Sequence, residues 1–511
     1  MALSASVHAQ SVSGAAPAQR PNYTFQTTTR IVLTDVTVTD SKGNPVQGLK
    51  ASDFHIFDNG KPQALLSFNE HTAAPVATIP QSPAAPGVYN NDFLLHLPSV
   101  LNIIVIDTTN LAIVDQMYLN YELTRFLKQL PPDEPLAIYW RTGPGSILLQ
   151  NFTSDRALLL AAVHKALPHF PPTGREYYSD FATLYKIAFD FSQYPGRKNI
   201  LWFSGGSTLY LTPDPTTFVS QTDARAIYDM LESGRIAVYP VDARGLTTTE
   251  GYNMWAQHAL MNDIADATGG HAFYNNNGLD RVAAHWLGTS GSFYTLTYSP
   301  SDFKIDNKWH KVQVRLDSDG AIYNLSYRRG YYADTSGGAV QKPEKSRKLL
   351  LLDGDVVKEP DLRSVPIIFQ ASVQPLSETS QAATGVGNSA TAPPLPHKRG
   401  YIPVSIHYSV PAGSLTTTFI NGKPQIIVGV AVIAVNEEGS NIARLGDRIT
   451  LSLNSVHLPL PPNLLLPFTQ QVNLHKGENY LYFAVWDMTS GRLGTLQVPL
   501  HVAAPPKPHD H

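Results

Sequence analysis

The sequence predicts an α/β chain: a doubly wound, mostly parallel sheet joined to all-β sandwich modules. Three observations carry this. The apolar run Leu101-Asn102-Ile103-Ile104-Val105-Ile106 ends abruptly in Asp107-Thr108-Thr109-Asn110. Strand-like and helix-like periods then alternate across 100–292, the pattern of a parallel sheet with helices on both faces. On either side, at 22–72 and from 293 onward, the period falls to the 2 of a strand with one buried face.

The chain has 511 residues, enough for about three or four domains. Its net charge of −3 comes from 38 basic and 41 acidic residues in no long runs, so no electrostatic footprint for nucleic acid is expected. There are no cysteines, which excludes disulfides, thiolate metal sites and cysteine nucleophiles. No apolar run reaches the ~18 residues that span a bilayer. Residues 1–21 form an Ala/Ser/Gln/Pro-rich leader. Within it Val7-His8-Ala9 resembles a signal-peptidase site, without a charged n-region or a full apolar stretch. One reading is the remnant of a truncated secretion signal, which implies a secreted, periplasmic or cell-surface protein. The other is an ordinary polar tail.

Residues 22–72 read as a small β unit. Val32, Thr34, Val36 and Val38 fall on one face, and Asp58-Asn59-Gly60-Lys61 carries the Asn-Gly pair of tight hairpins. Residues 73–99, rich in Ala and Pro, read as a connector. The run at 101–106 is a strand buried on both faces. Its polar end lies at the sheet edge where open α/β folds bind ligands. A helix follows over Val114–Leu130, and Thr109 or Asn110 can cap it. Pro135–Arg141, Ile147–Phe152, Asn199–Phe203, Ile236–Asp242 and His271–Tyr274 read as strands. Asp155–Leu167, Thr183–Phe191, Ala224–Ser233, Trp255–Thr268 and Leu279–Trp286 read as helical.

Several runs, taken together, resemble a known family. They are Val38-Thr-Asp-Ser-Lys-Gly-Asn-Pro-Val46, Pro195-Gly-Arg-Lys198, Trp202-Phe-Ser-Gly-Gly206, Val238-Tyr-Pro-Val-Asp-Ala-Arg-Gly245, Ala265-Asp-Ala-Thr-Gly-Gly270 and Arg329-Gly-Tyr-Tyr332. With Asp-x-Thr at 107–109, they resemble the von Willebrand factor type A (vWA) domain, and more specifically the vWA-related family of acidobacteria. The resemblance spans roughly 30–333. It implies a Rossmann-like fold and, for most such domains, a binding role in place of catalysis.

The family's hallmark is a metal-ion-dependent adhesion site: Asp-x-Ser-x-Ser after the first strand, a Thr on a later loop, and an Asp after the fourth strand. Magnesium favours such oxygen ligands and keeps several waters. Asp107 and Thr109 match the first two positions, and Thr173 matches the loop Thr. Leu111 replaces the second Ser, and Gly205 replaces the late Asp. Asn110, Ser204 and Ser207 can add oxygens but restore no charge. The expected site is therefore degenerate, with Mg2+ bound weakly or not at all. Each residue also has a structural role open to it. Asp107 can take backbone N–H bonds at a helix N-terminus, and Thr108, Thr109 and Asn110 can cap. Asp242 and Arg244 can touch a partner at the rim, or form an ion pair within their own loop.

No Walker, dinucleotide or His-Glu-x-x-His pattern is present. Gly288-Thr-Ser-Gly-Ser292 is out of register for a nucleophile elbow. Strands at 293–333 are expected to join the unit at 22–72, which is too small to be stable alone. A polar linker at 334–347 leads to an Ig-like β-sandwich at 348–505, with Pro403 suggesting an edge strand. A short tail, 506–511, ends the chain. The functional expectation is a non-enzymatic surface or secreted module with an unknown protein partner. It would bind through 107–111, 173–175, 204–208 and 242–246, with Tyr177, Tyr178 and Tyr210 adding contact area. The alternatives are a structural scaffold of an envelope assembly, and a hydrolase or enzyme accessory using the same cleft.

Overall fold

The computed structural model describes residues 31–72, 87–95, 98–142, 145–169, 180–192, 194, 196–206, 221–246, 252–301, 304, 306, 308–317, 320–333, 366–375, 400–436, 441–453 and 458–502. Four strands come first: β1 (Val32–Thr39), β2 (Phe54–Asp58), β3 (Lys61–Gln63) and β4 (Leu65–His71). A short β5 (Val88–Asn90) precedes the buried β6 (Val100–Asp107). Then follow α1 (Ile113–Lys128), β7 (Leu136–Thr142), β8 (Gly145–Thr153), α2 (Arg156–Ala166) and α3 (Asp180–Ser192). The α/β stretch closes with β9 (Arg197–Ser204), α4 (Gln221–Ser233), β10 (Ile236–Asp242), α5 (Tyr252–Thr268) and α6 (Leu279–Ser290).

These strands form one sheet in the order β10-β9-β6-β7-β8. All neighbours are parallel except β7 and β8. The period of 2 in β6 sends Ile104 and Ile106 to one side, with core residues of α1, α2 and α6. Leu101, Ile103 and Val105 face the other side, with α3, α4 and α5. The first strand in sequence is therefore central. Its next neighbour in sequence lies on one flank and β9 on the other, which makes β6 the switch point of the sheet.

The expected capping of α1 is corrected. The helix starts at Ile113 behind Ala112, which supplies no side-chain cap. Instead Gln116 folds back, its side-chain amide donating to the Leu111 carbonyl at 3.0 Å. Asp155 does cap α2, accepting from Ala157 and Leu158 N–H groups. His271–Tyr274 forms a single bridge, Val241 to Phe273, and no full strand.

After α6 come β11 (Phe293–Tyr298), β12 (Trp309–Leu316), β13 (Asn324–Tyr327) and β14 (Gly330–Tyr332). They interleave with the N-terminal strands in two sheets, β13-β1-β11-β4 and β14-β12-β2-β3. One apolar cluster draws on both sheets. The α/β unit is thus inserted between two halves of this β unit. Asp35 of β1 ties the two together. It accepts from Arg235 at 2.7 Å and lies 3.6 Å from Arg197. Burial pushes the Asp35 carboxyl up, but the Arg197 and Arg235 charges and hydrogen bonds outweigh it, leaving it below its usual value. A carboxyl depressed on folding adds stability above its unfolded value of about 3.9 and loses it as pH falls through the folded value. Urea midpoints measured from pH 6 down to 2 should therefore fall less steeply in Asp35→Asn than in the parent chain, the difference opening below about pH 4.

The C-terminal strands are β15 (Gln370–Pro375), β16 (Tyr401–Pro411), β17 (Thr417–Ile420), β18 (Lys423–Val435), β19 (Asn441–Ser452), β20 (Leu465–His475), β21 (Gly477–Asp487) and β22 (Leu493–Val502). One sheet runs β20-β16-β15-β5 and the other β17-β18-β21-β22, with β19 also on β18. Again a single apolar cluster draws on both. Two expectations change here. Pro403 does not mark an edge strand, because β16 pairs with both β15 and β20. It is tolerated because β15 pairs only as far as Val404. The stretch read as a connector supplies β5, which pairs with β15. Asn91, fully buried, locks that junction. Its amide donates to the Ile367 carbonyl at 2.9 Å, and its oxygen accepts from Phe369 N–H at 2.7 Å. Val435 and Tyr480 enter the core of the α/β unit, and Gln497 donates to the Leu148 carbonyl at 3.3 Å, so the C-terminal unit packs on the β8 side. The expected strand at Leu349–Leu352 lies outside the described residues.

Candidate functional site

At the switch point, period 2 and register put three polar side chains on one face of the sheet. Asp107 follows Ile103 and Val105, Arg141 follows Ala137 and Tyr139, and Trp202 follows Ile200. Asp107 stands directly opposite Arg141, and Val105 opposite Trp202. The Asp107 carboxylate is 1% exposed. Its Oδ2 accepts from Arg141 Nη1 at 2.7 Å and from Trp202 Nε1 at 3.3 Å. Its Oδ1 accepts from the Thr109 N–H at 3.0 Å and the Thr109 hydroxyl at 2.6 Å. Four donors fill the roughly four lone-pair sites of a carboxylate.

The neighbouring residues close the loop further. The Thr108 hydroxyl donates to the Arg141 carbonyl at 3.0 Å and accepts from Trp140 Nε1 at 3.1 Å. Leu111, where the adhesion pattern has a hydroxyl, is buried in the core with α1. The Ser204 hydroxyl donates to the Gly206 carbonyl at 3.1 Å and accepts from its N–H at 3.3 Å. At Gly205 any Cβ would collide with the Asn110 carbonyl oxygen, so the β6 and β9 loops lie against each other. Thr173 and Ser207 lie outside the described residues, as do 174–175, Tyr177, Tyr178 and Tyr210. Among the described residues no group of three His, Cys, Asp or Glu side chains is placed to hold a metal.

No family model matches the chain, and no curated protein does. Solved structures similar to it include the SpRpn10 VWA domain, at 13% identity and TM-score 0.26, covering 38% of this chain and 98% of that one. The ArnB paralog VWA2 from Sulfolobus acidocaldarius is 12% identical with TM-score 0.23, covering 54% and 75%. The human COPII-coat protein Sec24c is 10% identical with TM-score 0.26, covering 48% and 46%. Two of the three are vWA domains. The overlaps are loose, and the α/β architecture stands on its own strand order and register.

A second cluster sits two strands from β6, at the end of β10. Asp242, 2% exposed, accepts from Arg244 at 2.8 and 2.7 Å and from His258 Nε2 at 3.0 Å. Burial pushes the Asp242 carboxyl up, but the bonds from Arg244 and His258 and the Arg244 charge outweigh it and hold it low. His258 stacks on Tyr274 at 4.3 Å. Asp242 and Arg244 thus form an ion pair within their own loop, braced by α5. The Asp107 and Asp242 clusters belong to the same sheet edge, and the Ala243 N–H donates to the Ser204 carbonyl at 2.9 Å between them.

Sequence reasoning missed Arg141, Trp202 and His258. Arg141 had a signal: it is the one charged residue closing an otherwise apolar strand, and the first two sheet strands both end in a charge. The Gly205 position tests the closure. Gly205→Asp adds a carboxylate where the adhesion pattern has one but forces the β6 and β9 loops apart. It should destabilise the chain by about 1–3 kcal/mol, as overpacking does, with no response of the unfolding midpoint to Mg2+.

Proposed function

We propose that the chain is a non-enzymatic, secreted or cell-surface protein whose vWA-like α/β unit, set between sandwich modules, binds a protein partner. The chief support is an apolar rim beside the switch point. Val114, Met117 and Tyr121 share a face of α1 and are 71, 60 and 61% exposed. Leu246 follows the Asp242–Gly245 loop, and Trp255 lies in the first turn of α5. They are 57 and 66% exposed. Tyr118 of α1 packs beside Gly245, and His258 of α5 holds Asp242, so both helices border the same loop. Large apolar groups exposed on the two helices that border one loop supply contact area for a partner, and Trp, Tyr and Met are interface-enriched types. The Val7-His8-Ala9 run supports export.

The scaffold reading has its own support, because the edge at Asp107 is filled from within and the β6 and β9 loops close on each other. Among the described residues the hydrolase reading has none at this edge. The Ser204 hydroxyl is bonded to Gly206 and His258 to Asp242.

Photo-crosslinking side chains placed at Met117, Tyr121 and Trp255, with Lys311 of the N-terminal β unit as control, test the binding reading in the native envelope. A discrete adduct from the three rim positions and none from Lys311 is expected. Trp255→Ser should then weaken capture by about tenfold or more, the size of an interface hot spot, at an unchanged melting midpoint. Adducts at Lys311 alone would favour the scaffold.

A further inference from the structure

We infer that Arg141 is a built-in replacement for the divalent cation at the switch point, so that Asp107 is neutralised from within the chain and the edge works without metal. Three observations converge. The first is position. Arg141 ends the strand beside Asp107, directly opposite it in register, and its guanidinium donates to Oδ2 at 2.7 Å with both side chains almost wholly buried. A guanidinium there supplies the counter-charge that a metal would supply, through a charge-assisted bond from Nη1 to Oδ2.

The second is saturation. Trp202 and Thr109 take the remaining acceptor positions of Asp107. A cation coordinated directly by this carboxylate would have to displace one of these donors and would sit against a fixed positive charge. The third is the missing second carboxylate. Gly205 holds its place, and the Asn110 carbonyl oxygen occupies the space a side chain there would need. Oxygen sites for Mg2+ depend on ligand charge and on near-octahedral geometry, and the two carboxylates described at this edge are both already matched, Asp107 by Arg141 and Asp242 by Arg244. A partner at the rim therefore needs no acidic group to complete a metal shell. The inference concerns the edge itself and is read without any partner, so it stands or falls separately from the binding proposal.

The experiment is thermal unfolding of the full chain in EDTA, in 5 mM Mg2+ and in 5 mM Mn2+, with Asp107→Ala, Arg141→Lys and Arg141→Met alongside. The parent chain should melt at the same temperature in all three solutions. Arg141→Lys should keep more of the parent midpoint than Arg141→Met, because it keeps the charge while Met keeps only the bulk. A metal-induced rise in the parent that Asp107→Ala abolishes would overturn the inference. So would equal midpoints for the Lys and Met variants, since Arg141 would then act by packing alone. A rise that persists in Asp107→Ala places the cation elsewhere and supports the inference. If the Arg141 variants fail to fold, the comparison of the parent with Asp107→Ala still decides it.

Discussion

Replacing Arg141 with alanine is expected to lower stability by about 3–5 kcal/mol, the usual cost of leaving one member of a buried ion pair unpaired. Asp107 is 1% exposed and cannot recover the lost contact from water. Its remaining partners, Trp202 and Thr109, are neutral donors and leave the charge uncompensated. The paired replacement Asp107→Leu with Arg141→Met separates this cost from loss of volume. It removes both charges together and should lose clearly less than Arg141→Ala, with a residual cost of about 1–3 kcal/mol from the buried Trp202 N–H left without its acceptor. Urea unfolding followed by far-UV circular dichroism gives both values. A single-variant loss under about 1 kcal/mol would mean that water reaches Asp107.

Asp58→Ala should cost a similar amount in a different unit. Asp58 of β2 accepts from Tyr298 at 3.1 Å, Tyr331 at 2.7 Å and His310 at 3.1 Å, all buried. Tyr298 belongs to the opposing sheet, so this carboxylate joins the two sheets of the N-terminal β unit. Burial, followed by the Asp58 charge, pushes the Tyr298 phenol well up, so it stays a donor at ordinary pH. Alanine strands three donors at about 1–3 kcal/mol each, for a loss of about 3–9 kcal/mol. Asp58→Asn keeps an acceptor oxygen and should lose clearly less. Differential scanning calorimetry of the two variants distinguishes them.

Much of this architecture is legible in the sequence because it rests on local periodicity. The run through Ile106 reads as a strand buried on both faces, and it is one. Val32, Val36 and Val38 could bury one face only, and they do. The α/β alternation and the Asp155 cap are equally local. What stayed hidden depends on register between distant segments. Asp107 and Arg141 lie 34 residues apart and meet only because β6 and β7 end level. The cap of α1 departs from the sequence expectation because Thr109 spends its hydroxyl on Asp107 and the helix begins three residues beyond Asn110. The three residues of β5 carry no period to read inside an Ala/Pro-rich stretch. Their strand character comes wholly from β15.

That pairing has a consequence for how the chain is made. Asn91 leaves the ribosome early, yet its partner Ile367 lies 276 residues downstream. At about 5–20 residues per second, the wait is roughly 15–60 s. During it the α/β unit can complete its own sheet, whereas β5 has no strand to pair with until β15 emerges. The N-terminal β unit faces a shorter version of the same delay, since the strands paired with β1 among the described residues are β11 and β13. Synthesis therefore runs inside out: the inserted unit matures first, the β unit around it closes next, and the strand before the insertion is claimed last.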